Sequence, residues 1–352
     1  MSVTPHLLSN FGTSDLTPEN ALQSFAIDKQ DPGVGYGVFQ SHGGTETWIV
    51  KYNYDVSNTD AKQNHITPVS NYRITGSVDK KYKAGHSGSL QVYHRNGKTY
   101  LIVATKMTSV KGSTNKFATQ LTRIPVEDFG NNNAFVNYDT LKRIGSLQNV
   151  GGKASALVDL DRVEFAIDYD ESKIAVWVLN VATESIMALY NLDDIDALFN
   201  KANPEITIKG TKYGPVSDFT ATKKKKIFPV TKASQHCSLQ GFALTSAGSV
   251  YVGCEEGIGD PSDKTGKSAK GIWKFKVGAN ADAVGDPTRV LNGAWSDFTN
   301  KDAGDADGVG VEMENIQIIS SELYLSATYH DTVDQVAHMQ KNRLYHFDKT
   351  LI

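Results

Sequence analysis

Ser238–Leu244 reads SLQGFAL, and three other stretches echo it: SLQVYHR from Ser89, ALQSFAI from Ala21 and NIQIISS from Asn315. Each sets a glutamine between apolar neighbours. In a variant, VEFAIDY, Glu164 takes the place of the glutamine. The anchors are then Gln23, Gln91, Glu164, Gln240 and Gln317, spaced by 68, 73, 76 and 77 residues. A long period that recurs this steadily marks a repeated supersecondary unit.

Each anchor is followed by a turn and a second β-type run: GVGYGVFQSH, KTYLIVATKM, KIAVWVLN, SVYVGCEE and ELYLSATYH. The turns RNGK, DYDES and TSAGS carry residues that tolerate positive φ, as hairpins require. A third run comes next (TWIVKYNYD, TQLTRIPVED, SIMALYNLDD, GIWKFKVG, RLYHFDK), rich in aromatic and β-branched residues. Four units add a fourth run: SNYRITG, LKRIGSL, EITIKGT and TRVLNGA. The fifth unit has none, while PHLLSNFG stands unused ahead of the first anchor. This predicts an all-β fold, a five-bladed β-propeller closed by the N-terminal strand completing the C-terminal blade. Residues 1–352 then form a single domain with blades at about 20–78, 86–148, 160–213, 235–296 and 309–349 plus 5–12. Loops at 111–116 and 260–270 absorb the length beyond four strands. DDIDALFNKA predicts one short helix after the third strand of blade three. A pair of β-sandwiches accommodates the strands but leaves the repeat unexplained.

Composition removes several function classes. The net charge of -3 offers no basic surface for a nucleic-acid backbone. No run of about 18 apolar residues is present to span a membrane. The opening MSVTPHLLSNFGTSDL has neither a basic n-region nor an apolar h-region, so it does not read as a Sec signal peptide. Cys237 and Cys254 are the two cysteines, too few for a disulfide framework. Together with His236 they are also too few for a zinc site, and neither a metal nor a cofactor is expected. GDPSDKTGKS at 259–268 lacks the first glycine of a phosphate loop, position 261 being proline. DAGDADGVGVE at 302–312 has a calcium-loop composition without EF-hand spacing and reads as an acidic turn. The lysines at 223–226 read as a solvated loop between blades three and four.

The anchor glutamines belong to the innermost strand of each blade. A buried amide left without hydrogen bonds costs about 1–3 kcal/mol, so each must join neighbouring blades or face a ligand. The segments just before the anchors, AGHSGSLQ, ASQHCSLQG and VGVEMENIQ, lie at the mouth of the axis. There His86, His236, Glu312 and Glu314 join Gln91, Glu164, Gln240 and Gln317 as candidate ligand-binding residues for a sugar, a cation or a polar headgroup. The competing reading has each histidine cap a neighbouring loop. Tyr329, Trp48, Trp177 and Trp273 are candidate sugar-stacking aromatics, with Trp177 and Trp273 reading better as core.

VEMENIQIISSELYLSATYH with KNRLYHFD resembles the C-terminal region of the helveticin J family, large heat-labile class III bacteriocins of lactobacilli. The resemblance continues through SLQGFALTSAGSVYVG, FAIDYDESKIAVWV, MALYNLDDIDALF and ALQSFAIDKQDPGVGYGVFQSHGGTETWIVKY. GHSGSLQ at 85–91 matches a Gly-His segment of the family. The family often carries His–x–Glu or Gln at the blade starts. Here Arg162 stands where that histidine precedes Glu164, and Glu312 replaces the final one. The resemblance implies an antibacterial protein released from a Gram-positive cell, extracellular without a recognisable Sec signal, and acting on close relatives. It brings no catalytic residues.

The expected function is therefore binding of a bacterial cell-envelope component, a glycan or wall polymer. One alternative is a glycan hydrolase, for which Glu164, Glu312 and Glu314 are the first carboxylates to test. The other is a non-lethal surface adhesion protein.

Overall fold

The computed structural model describes residues 6–11, 21–41, 45–55, 65–110, 116–130, 134–152, 156–182, 184–201, 206–208, 211–214, 216–220, 225–226, 238–255, 270–276, 288–293, 310–333 and 336–348. Strand β1 (His6–Asn10) precedes the first blade. Blade one consists of β2 (Leu22–Ile27), β3 (Val34–Ser41), β4 (Glu46–Tyr54) and β5 (Ile66–Thr75). Blade two has β6 (Leu90–Arg95), β7 (Lys98–Met107), β8 (Ala118–Pro125) and, after β9 (Ala134–Asn137), β10 (Lys142–Gly145). Blade three begins with β11 (Leu160–Ile167), β12 (Lys173–Asn180) and β13 (Ser185–Asn191). Helix α1 (Leu192–Lys201), strands β14 (Ile206–Ile208), β15 (Thr211–Tyr213), β16 (Val216–Asp218) and β17 (Lys225–Lys226) follow. Blade four is β18 (Ser238–Leu244), β19 (Val250–Glu255), β20 (Lys270–Phe275) and β21 (Thr288–Gly293). Blade five is β22 (Gly310–Ile319), β23 (Glu322–Val333) and β24 (Val336–Asp348).

The sheets are a five-bladed propeller, and β1 supplies the outer strand of blade five in the order β22-β23-β24-β1. Leu7 faces Tyr345 and Asn10 faces Arg343 in an antiparallel ladder. Buried Arg343 donates through Nε to Asn10 Oδ1 at 3.0 Å. One residue on, Phe11 crosses to blade one. It bridges to Ile66 and meets Phe25 and Tyr52 edge-on at 4.8 and 5.4 Å. A single short segment thus ties blade five to blade one.

The packing explains why the middle strands read as unbroken apolar runs. A blade is buried on both faces, so alternate residues go to opposite neighbours. On β12, Ile174, Val176 and Val178 pack towards blade two, while Ala175 and Trp177 pack towards blade four. On β7, Leu101 and Val103 meet blade one, and Ile102 and Ala104 meet blade three. Among the described residues there are five such hydrophobic clusters, one for each pair of adjacent blades. Each fully buried aliphatic side chain contributes about 1.5–3 kcal/mol. The predicted helix is present as α1, and it buries Leu192, Ile195, Leu198 and Phe199 in the wedge between blades two and three.

Three features differ from the expectation. The segment EITIKGT, expected as the fourth strand of blade three, instead forms a separate hairpin in which Ile206 faces Tyr213. The outer position of that blade goes to β17, where Leu189 faces Lys225. Two of the four lysines at 223–226 are therefore an edge strand rather than loop. An edge needs only backbone pairing on one side. Blades one and two also gain a fifth strand each: β9 adds parallel to β5, and β16 adds parallel to β10. Each comes from the connection that follows the next blade's third strand, so consecutive blades are latched at the rim. The loops at 111–115 and 260–269 lie outside the described residues.

Candidate functional site

The five inner strands β2, β6, β11, β18 and β22 touch their neighbours around the axis. Their glutamines divide into two kinds. Gln91 accepts a hydrogen bond from Ile167 N at 3.2 Å, and Gln317 accepts from Ile27 N at 2.8 Å. Both are buried and both reach the inner strand of the next blade. Ser89 and Asn315 support the same seams through Phe165 N and Phe25 O, and Ser24 joins blades one and two by accepting from Leu90 N. Gln23 and Gln240 behave differently, because each sits at a β-bulge. The bulge turns the side chain towards the mouth. There Gln23 Oε1 bonds His86 Nε2, and Gln240 Nε2 donates to Glu312 Oε1 at 3.0 Å.

Gly241 explains the fourth letter of the motif in blade four. Its φ is +72°, and a Cβ there would lie 2.6 Å from the backbone of Asn315 and Ile316. Only glycine allows blade five to approach that closely while the strand bulges.

A second group forms where blades one, two and three converge. His86 stacks on Phe117 with centroids 4.7 Å apart. Desolvation by the surrounding protein, helped by the Arg162 charge, pushes the imidazole down from 6.5 to about 3. His86 is therefore neutral, and its Nε2–H donates to Gln23. Arg162 and Glu164 are two apart on β11, so they share a face. Arg162 Nε donates to Glu164 Oε1 at 2.6 Å, and the Ser89 hydroxyl bonds Glu164 Oε2. Glu164 is 0% exposed. The Arg162 guanidinium carbon lies 4.1 Å from the Phe117 ring centre. Gly88 leaves room for the pair, since a Cβ there would come within 2.4 Å of Glu164 Oε1 and 3.0 Å of Arg162 Nη2.

The structure therefore brings His86 and Glu164 together, with Gln23 and Arg162 as partners outside the predicted set. Gln240 and Glu312 form a separate pair at blades four and five. Glu314 is buried at the bulge of β22. Gln91 and Gln317 are spent on the seams between blades. His236 lies outside the described residues, as do Cys237 and the 302–309 part of the acidic turn. Of the aromatic candidates, Tyr329 is fully buried, as is the Trp177 side chain, so neither stacks on an external sugar. Trp273 packs partly buried between blades three and four. Trp48 is half-buried, with Arg73 over its ring at 3.6 Å.

At the other end of the inner strands a charged knot joins the same three blades. His94 lies between Asp28 (3.2 Å) and Glu171 (2.8 Å). Lys29 donates to the carbonyls of Asp168 and Tyr169. Burial lowers the Lys29 pKa, and the carboxylates of Glu171, Asp168 and Asp170 oppose that shift. Among the described residues, no cluster of His, Cys, Asp and Glu can hold a metal ion. No described helix is long and apolar enough to cross a membrane.

A family model described as bacteriocin helveticin-J matches residues 35–350. No curated protein sequence matches the chain. Among solved structures, the chain is similar to an alpha-L-arabinofuranosidase from Lactobacillus brevis, with 10% identity and a TM-score of 0.43 over 94% of this chain and 91% of that one. It is also similar to a glucose dehydrogenase, at 13% identity and a TM-score of 0.39 over 94% and 81% of the two chains. A third similarity is to Bacteroides ovatus xyloglucan PUL GH43B, at 11% identity and a TM-score of 0.41 over 96% and 54%.

Proposed function

We propose, from the premise that this chain belongs to the bacteriocin helveticin-J family, that it is an antibacterial protein acting outside the producing cell. Its propeller binds a glycan or wall polymer of the envelope of related Gram-positive bacteria through the mouth of the axis. The observation that carries this reading is the contrast in chemistry between the wedges and the mouth. The wedges between blades are apolar, whereas Gln23, His86, Arg162, Gln240 and Glu312 gather polar groups from all five blades at the starts of the inner strands. Hydrogen-bonding side chains of this kind, neutral and charged together, suit hydroxyl-rich or ionic polymers.

Binding is favoured over glycan cleavage by the state of Glu164. A general acid or nucleophile must reach the glycosidic bond. Both Glu164 oxygens are instead engaged, by Arg162 and Ser89. The test uses full-length labelled protein on purified walls and on living susceptible cells. Saturable wall binding together with growth inhibition is the expected result. Release of reducing ends from those walls would move the assignment to the hydrolase. Binding without any growth inhibition would move it to adhesion. A protein that binds neither walls nor cells would end this reading.

A further inference from the structure

Arg162 is held in place but only partly used. Its side chain is 8% exposed. Among the described residues its hydrogen bonding is confined to Nε, which donates to Glu164. A guanidinium carries five N–H donors in a rigid fork, so the two Nη atoms keep theirs. Three contacts and one gap set the direction of that fork. Glu164 holds Nε, Ser89 holds Glu164, the Phe117 ring lies 4.1 Å from the guanidinium carbon, and Gly88 gives space beside Nη2. The Trp177 ring lies 5.9 Å from the guanidinium, and its buried indole N–H has no hydrogen-bond acceptor among the described residues. Donors without acceptors thus gather at Arg162 and Trp177, and Asp161, at the adjoining bulge of β11, keeps one buried carboxylate oxygen without a donor among the described residues. The carboxylates Glu312 and Glu314 stand on blade five, separated from Arg162 by blade four.

We propose that Arg162 is the residue with which the mouth takes an oxyanion, the phosphodiester or carboxylate of an anionic wall polymer, in a forked pair of hydrogen bonds. This rests on the wall-binding reading above and names the chemistry that the polymer must carry. Glu164 offsets the charge of Arg162, so selection comes from the fork geometry more than from attraction at a distance. Arg162 acts here as a ligand-binding residue, and Glu164, Ser89 and Gly88 act through it as positioning residues.

The experiment titrates the full-length protein against three wall preparations: untreated, stripped of phosphodiesters with hydrofluoric acid, and with carboxylates amidated by carbodiimide. One treatment is expected to weaken binding by about tenfold or more, the usual worth of a charge-assisted forked pair. Which one does so identifies the source of the oxyanion. Arg162→Lys keeps the charge and loses the fork, and should lose most of the same increment. Arg162→Gln combined with Glu164→Gln removes both charges without stranding a buried carboxylate, and its circular dichroism and Tm report whether the fold is kept. If the wild-type protein binds all three preparations alike, the inference is overturned while the wall-binding reading stands. The same follows if folded Arg162 variants bind untreated walls as tightly as wild type. Absence of wall binding by the wild type overturns both.

Discussion

Gln317 grips the backbone of Ile27 through both its N–H and its carbonyl. Its amide oxygen accepts from Ile27 N at 2.8 Å, and its amide nitrogen donates to Ile27 O at 3.0 Å. The two residues are 290 positions apart, and the pair joins blade five to blade one much as a β-bridge would. Replacing Gln317 with alanine leaves a buried donor and a buried acceptor unsatisfied. The expected loss is about 2–4 kcal/mol, read as a lower urea midpoint with an unchanged slope.

The same seam is covered on its outer side by Phe11, which is 6% exposed. Phe11→Ala empties an aromatic cluster shared with Phe25 and Tyr52 and should cost about 3–5 kcal/mol. Deleting residues 1–11 removes that contact and the whole of β1, and exposes the edge of β24. A larger fall in Tm and concentration-dependent aggregation are expected. A truncated protein that melts with wild type would show that β1 does not seal the ring.

Gly241→Ala tests the motif on which the repeat was recognised. Its positive φ and the 2.6 Å approach to blade-five backbone leave a methyl group no place without moving β22. Thermal unfolding should show a loss of about 3 kcal/mol or more, because backbone strain and overpacking add. Gly97→Ala is the control: its φ is also positive, but a Cβ there meets nothing within 4 Å.

His86 makes stability depend on acid. In the folded protein the imidazole stays neutral down to about pH 3, whereas the unfolded chain takes up the proton near 6.5. Between those values the unfolded state binds more protons, so stability rises with pH through the window and is lost as pH falls from 6.5 towards 3. The groups facing the ring are Gln23, Phe117 and Arg162. His86→Gln should flatten this part of the pH profile, a difference on the order of a few kcal/mol at the acid end. Chemical denaturation at several pH values from 4 to 7 measures it. Parallel profiles for the two proteins would count against a neutral, desolvated imidazole.

The sequence disclosed the repeat, the five blades and the strand exchange because burial on both faces of every blade writes apolar residues into each middle strand, as KIAVWV does. The rim was less legible. Lys225–Lys226 pairs with Ala188 and Leu189, and a two-residue edge strand leaves no alternation to read. β9 and β16 join their sheets in parallel from distant connections, and short pairings of that kind carry no local turn signal. In the candidate site, Glu164 and His86 stood out by residue type. In sequence, Arg162 reads only as a departure from a histidine pattern. Its spacing of two from Glu164 on a strand places both on one face, and that signal was available. The split of the glutamines into seam and mouth residues depends on bulges at Gln23 and Gln240, which the motif itself does not betray.

The exchange of β1 into blade five also orders events during synthesis. His6–Asn10 leaves the ribosome before any of the five blades, yet its partner β24 lies more than three hundred residues downstream. Four wedges can assemble while the nascent chain is still growing, but the ring stays a horseshoe until translation has passed residue 348. Sealing is therefore a late step. A chain stalled or clipped before that point leaves both flanks of the gap unpaired.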